Sequence, residues 1–332
     1  MFSPRAEPFL PAAPRIMVYV DRDLVGDALI KLPFLRALRH AFPDATLTWV
    51  AGRGATAYAG ALAPLVAGLL DRALENTGLG ADLAASLGAV DLVIDTQSKL
   101  ATARALRRLG ARRFIAPAGW YVLSQRRPRA FWRKQRPLIR RLLGLVELAS
   151  GRPAEPFGEL PIAPAVTALA ARLLAQGARH VAQVPGAGGR HKAWPLERHI
   201  DLGRGLLARG ILPAIILGPA EPEWHAPLRQ ALPGALFPLQ DAAAQGAPAG
   251  PELTVALARR CAAAVAGDCG GGHMMAAADI PLISLFGPTD PGKFAPWTRR
   301  LLVLRAQDWG SADMAAIPVS AVAAALSDIL RG

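Results

Sequence analysis

Cysteine is nearly absent. Cys261 and Cys269 are the only two in 332 residues, too few for the disulfide frameworks of small secreted folds and without companions at metal-ligand spacing. Free thiols in a cytoplasmic protein are the expectation. No apolar run reaches the roughly 18 residues that a membrane span needs. Residues 1–14, interrupted by prolines, lack the apolar core of a secretory signal and read as a loose extension. A strand-linked G-x-G-x-x-G is missing, which argues against a dinucleotide site. Ser284 has no G-x-S-x-G elbow around it, and Asp268 and His273 have no third partner to hold a metal.

Acid is also scarce. Asp and Glu number 25 against 38 Lys and Arg, a net charge of +13. The stretch from Ser124 to Leu142 has no acidic residue but carries Arg126, Arg127, Arg129, Arg133, Lys134, Arg136, Arg140 and Arg141, with Phe131, Trp132, Leu138 and Ile139 among them. Such a segment suits an anionic membrane face, a phosphorylated glycolipid or nucleic acid, and equally a plain solvated arginine-rich helix. No nucleic-acid module accompanies it, so a nucleic-acid partner ranks last.

What is present is a well-cored chain, 52% hydrophobic and 19% charged, long enough for two domains. Short β-rich runs alternate with amphipathic stretches. The first half has expected strands at 15–20, 46–51, 92–96 and 113–116, with helices over 28–41 and 101–109. The second half has strands at 180–184, 212–217, 235–238, 263–266 and 282–286, with helices over 196–209, 222–232, 253–261 and 273–278. This order requires parallel sheets covered on both faces. The proline-rich segment 150–164 is the natural linker, and periodicity returns over 318–330. The fold class is α/β, two doubly wound parallel-sheet domains facing a cleft, with ligand-binding loops after the strand ends at Val20, Val184, Leu217, Ala266 and Phe286.

Three segments carry candidate chemistry. After the first strand, Gly26-Asp27 opens a helix. Asp27 fits either a helix cap or a base that takes a proton from a hydroxyl nucleophile, with Gly26 leaving room for the substrate. After the strand candidate at 180–184, Pro185-Gly186-Ala187-Gly188-Gly189-Arg190-His191-Lys192 places three glycines before a cationic corner; Arg190 and Lys192 fit a diphosphate leaving group, or a solvated turn. Farther on, Asp268-Cys269-Gly270-Gly271-Gly272-His273 reads as a strand end, glycine turn and helix start, where backbone N–H groups can hold phosphate. Glu221, in a first helical turn, could hold ribose hydroxyls or be ordinary.

Taken in order, Gly26-Asp27, Leu32 to Arg39, Phe42-Pro43, Pro185-Gly186-Ala187, Lys192-Ala193-Trp194-Pro195, Glu221, Asp268 with its glycine turn, and Phe286 to Pro291 resemble the bacterial heptosyltransferases of glycosyltransferase family 9. The resemblance implies a GT-B architecture. Residues 15–160 would form the acceptor domain, 161–310 the sugar-nucleotide donor domain, and 311–332 a helix crossing back to the first. It implies an inverting, metal-independent transfer of heptose from ADP-heptose to a lipopolysaccharide core, with no cofactor beyond that co-substrate, at the cytoplasmic face of the inner membrane. Asp27 stands at the position of the base and Lys192 at a donor-phosphate contact. Gly186, Ala187, Gly188, Arg190, Glu221, Asp268, Gly270, Gly271, Gly272 and His273 fall at donor positions. Gly26, Arg126, Arg127, Arg129, Arg133 and Lys134 are expected to meet acceptor or membrane. The chain departs from the family where Asp21 and Leu24 stand in place of a basic residue, and where Gly188 and Cys269 replace hydroxyl side chains. A catalytically silent binder of the same fold, or an epimerase, are the competing expectations.

Overall fold

The computed structural model describes residues 9–128, 137–158 and 160–331. The chain divides into two compact units, residues 1–159 and 160–332. In the first, strands β1 (Arg15–Val20), β2 (Thr46–Ala51), β3 (Arg72–Leu74), β4 (Leu92–Asp95) and β5 (Arg113–Ile115) form a parallel sheet in the order β3-β2-β1-β4-β5. In the second, β6 (His180–Val184), β7 (Leu212–Ile215), β8 (Ala263–Gly267), β9 (Leu282–Phe286) and β10 (Leu301–Arg305) form another in the order β10-β9-β8-β6-β7.

Strands buried on both faces read as continuous apolar runs. Ile16 through Val20 are all within 2% of complete burial. In the second unit the two faces separate with the period of two that a strand imposes. Ala182, Val184, Ala264 and Ala266 belong to one core, and Val181, Ala263, Val265, Ile283 and Leu285 to the other. The small residues of β8 let helices approach it closely.

Three local differences from the sequence reading have physical causes. No strand spans 235–238: only Leu236 bridges Ala214, because Pro238 begins the helix Pro238–Ala244 at once. β3 was missed because it is only three residues long and partly exposed. β10 had a readable signal in Leu301-Leu302-Val303-Leu304, but it is an edge strand and half open to solvent. The closing helix Val319–Arg331, expected to cross back, buries Val322, Ala325 and Leu326 in the second unit's core. It packs on the helix Leu196–Leu207 and on β8 and β9.

The parallel order reverses between β1 and β4 in the first sheet and between β6 and β8 in the second. At such a switch point adjacent loops leave in opposite directions and open a crevice outside the strand ends. The candidate segments after β1, β6 and β8 all sit at these points.

Candidate functional site

In the first unit, helix Val25–Ala41 starts directly beyond β1. Its N-cap, Leu24, makes no side-chain cap bond. Asp27 lies in the first turn and is exposed, and its carboxylate has no hydrogen bond or ion pair among the described residues. Capping is therefore not its role in this structure. Gly26 is exposed, and a Cβ there would meet nothing within 4 Å.

Asp21, where a basic residue was expected, gathers cations from the loops after two other strands. Arg53 donates Nε to Asp21 Oδ1 at 2.6 Å and a second N–H to Oδ2, and Lys99 Nζ reaches Oδ2 at 3.0 Å. The hydrogen bonds from Arg53 lead in holding the Asp21 carboxyl down at about 2. The cluster keeps one net positive charge, supplied from the loops after β2 and β4. Sequence reading missed it because neither cation lies near Asp21 in the chain. Beside it, burial raises the Asp95 carboxyl to about 7. The Gln97 N–H reaches one of its oxygens at 2.8 Å, and the other has no partner among the described residues.

The basic segment is only partly available. Arg126 donates to the Leu148 carbonyl at 3.1 Å, near the end of helix Leu138–Ser150, so it braces that helix. Arg127 is exposed and reaches the Val122 carbonyl at 3.4 Å. Arg129, Arg133 and Lys134 lie outside the described residues. Ile139, Leu142, Leu143 and Val146 are buried, and their helix packs on Val25–Ala41. The C-terminal part of the segment is thus an amphipathic core helix.

In the second unit the loops after β6, β7 and β8 converge. Lys192 Nζ stands 3.6 Å from Asp268 Oδ2. Glu221 lies against Gly186 so closely that a Cβ there would fall 2.5 Å from its Oε2; any side chain at 186 would displace the Glu221 carboxylate. Burial, and then the nearby charge of Glu223, raise the Glu221 carboxyl above its usual range. Arg190 bonds Glu223 at 2.6 Å. Gly188, Gly189, Arg190, Glu221, Glu223 and Trp224 border a pocket of about 270 Å³ with Ala187, Ala193 and Ala220, near the lower end of the usual ligand range of roughly 300–1,000 Å³.

Helix Gly270–Ala277 begins beyond β8 with Cys269 as its N-cap, the Sγ accepting from Gly272 N at 3.4 Å. Of the three glycine amides expected to meet phosphate, that of Gly272 is thus engaged. A Cβ on Gly271 would lie 2.4 Å from Val184 Cγ1, so glycine is needed for this helix to sit on β6. His273 is buried, and burial lowers its imidazole to about 4, which keeps it neutral at physiological pH. Among the described residues no three His, Cys, Asp or Glu side chains group as metal ligands.

The sequence matches glycosyltransferase family 9 (heptosyltransferase) over residues 81–316, more than two thirds of the chain. The chain belongs to glycosyltransferase family 9. It is a glycosyltransferase of the heptosyltransferase type. The matched span contains Lys192, Glu221 and Asp268 and begins after Asp27. No curated protein sequence matches the chain.

Solved structures share this family 9 chain's fold. A glycosyl transferase family 9 protein from Veillonella parvula matches with TM-score 0.74 at 18% identity, covering 99% of each chain. The Escherichia coli ADP-heptose lipopolysaccharide heptosyltransferase II matches with TM-score 0.66 at 19% identity, over 96% of this chain and 98% of that one. E. coli heptosyltransferase WaaC with ADP gives 0.66 at 19%, over 95% and 99%. These likenesses establish the GT-B fold. At Cys269, where a hydroxyl side chain was expected, the thiol itself makes the helix-capping bond.

Proposed function

We propose that this glycosyltransferase moves heptose from ADP-heptose to the inner core of lipopolysaccharide, with inversion and without a metal ion. The observation that carries the reading is the second-unit site: Lys192 beside Asp268, Glu221 over Gly186, and a glycine-started helix at one switch point. This is the chemistry of a nucleoside diphosphate held by main chain and one lysine. The E. coli WaaC structure, solved with ADP, points the same way.

In this reading Asp27 takes the proton from the acceptor hydroxyl, whose oxygen attacks the anomeric carbon from the face opposite the leaving group. The bond from that carbon to the diphosphate oxygen breaks, and the electron pair leaves with ADP. Lys192, Arg190 and the Gly270 and Gly271 amides stabilise the growing negative charge. Glu221 holds ribose hydroxyls. Arg53 and Lys99, replacing the basic residue absent at position 21, meet acidic groups of the acceptor, and Arg127 is a further exposed cation of the same unit. Among the described residues no helix is long and apolar enough to cross a membrane; contact with the inner membrane's cytoplasmic face is assigned to the basic surface.

The test is a thermal-shift comparison of ADP, UDP and GDP at equal concentration, since a ligand bound only by the folded form raises the melting temperature. ADP is expected to give the largest shift, and a UDP preference would move the donor to a hexose. Asp27→Ala is expected to lose transfer by at least about a hundredfold while keeping the ADP shift. Because Gly188 and Cys269 lack hydroxyls, a silent sugar-nucleotide binder is the second reading. Slow hydrolysis of ADP-heptose by the wild type excludes it.

A further inference from the structure

Beneath the turn that presents Asp27 lies a buried charge pair with no part in the transfer just described. Asp23 is 1% exposed. Its Oδ1 accepts from Lys31 Nζ at 2.6 Å, and its Oδ2 accepts from Trp49 Nε1 at 2.9 Å and Thr56 Oγ1 at 3.0 Å. Its backbone is tied as well, through a bridge to Thr56 and a bond from Ala57 N. Lys31, one turn beyond Asp27 in the helix, makes a second bond to the backbone carbonyl of Asp27 at 3.1 Å. The Tyr58 hydroxyl donates to the next carbonyl, that of Ala28, at 2.8 Å.

Stability does not account for this arrangement. Burying two charges costs desolvation that their attraction often fails to recover, and apolar replacements are frequently as stable. Geometry offers a better account. The helix starts without a side-chain cap, and its first residues are exposed, so its first turn is prone to fray. Lys31 and Tyr58 grip two successive carbonyls there and fix the peptide planes that set the direction of the Asp27 side chain.

Charge supplies a second reason. Asp27 and Lys31 stand four residues apart, the spacing at which a helical carboxylate and ammonium pair. Asp23 holds the ammonium inward, away from the Asp27 carboxylate. Released, that ammonium would form a salt bridge competing with the proton Asp27 has to take. The other titratable groups around this network are Tyr58, packed edge-on to Trp49, and Glu75, whose carboxylate accepts from Thr56 N at 2.6 Å.

We propose that Asp23 and Lys31 are positioning residues, which aim the Asp27 carboxylate through its own backbone carbonyl and keep it free of a salt bridge. The inference rests on Asp27 being the base. Transfer from ADP-heptose to lipopolysaccharide truncated before its heptose region is measured across pH. The variants are Asp27→Ala, Asp23→Asn and Asp23→Asn/Lys31→Met, with Val66→Ala, in the same unit and outside this network, as a control for lost stability. Asp23→Asn is expected to lose at least tenfold in kcat, with donor KM within twofold, and to move the acid limb of kcat/KM to lower pH. Removing the freed ammonium in the double variant returns the limb to its place, while kcat stays at least threefold below the control.

An Asp23→Asn enzyme with an unmoved limb and a kcat equal to the control's would overturn the proposal while leaving Asp27 as the base. Near-normal turnover by Asp27→Ala would remove the base assignment and this inference with it. Should Asp23→Asn fail to fold, the double variant decides alone: a kcat at least threefold below the control supports positioning, and parity with it refutes positioning.

Discussion

Asp95 ends β4 beside Tyr19 of β1. It is fully buried, with one oxygen bonded and the other without a partner among the described residues. Burial raises its carboxyl from 3.8 to about 7. The folded protein therefore keeps a proton that the unfolded chain releases above about pH 4. The stabilisation linked to that proton is complete below pH 4 and is lost as pH rises through about 7, by roughly 4 kcal/mol at most. Asp95→Asn carries no such proton. Its melting temperature, compared with wild type, is expected to rise steadily between pH 4 and pH 7; parallel melting curves over that window would refute the assignment. At this scale the sequence pointed to Asp27, Lys192, Glu221 and Asp268, because each stands at a strand or helix boundary that local pattern marks. It did not point to Asp23, Lys31, Arg53, Lys99 or Asp95 as site residues: Arg53 and Lys99 meet Asp21 from loops far along the chain, and the burial that marks Asp23, Lys31 and Asp95 comes from packing that local pattern does not record.

The turn from β8 into helix Gly270–Ala277 shows what an element demands of its residues. Gly271→Ala would press a Cβ onto Val184 Cγ1, 2.4 Å away, and overpacking of this kind costs about 1–3 kcal/mol. The helix start would shift. The variant is expected to melt several degrees lower and to bind ADP at least tenfold more weakly by calorimetry. Gly205 is a useful contrast. It lies exposed inside helix Leu196–Leu207, and a Cβ there meets nothing within 4 Å. Gly205→Ala is expected to add about 0.5–1 kcal/mol of stability without changing ADP affinity. An unchanged melting temperature and ADP affinity in Gly271→Ala would show that the turn is not held by close packing. Long buried strands and periodic helices were legible in the sequence. The short strand β3 and the single bridge at Leu236 were not, because neighbouring chain segments rather than local pattern decide them; the edge strand β10 carried an apolar run but no alternation of buried and open faces.

Across the whole molecule, each unit carries its own parallel sheet and its own switch point. If the second unit holds the nucleotide, ADP should slow hydrogen exchange at its strand-end loops, around 185–193, 218–224 and 267–273. The loops after β1, β2 and β4 should exchange as before. Protection confined to the first unit would reverse the assignment of donor and acceptor. The sequence alone determined the α/β class and the alternation of the long buried strands with helices, because burial on both faces of a parallel sheet writes itself into apolar periodicity. It also determined which loops end at strand tips, where glycines and charged residues replace that pattern. Only the tertiary structure decided which charges meet there. Asp21 with Arg53 and Lys99, and Asp23 with Lys31, are juxtaposed by sheet order and side-chain packing. Such contacts leave no periodic trace, since each partner obeys only its own strand or helix.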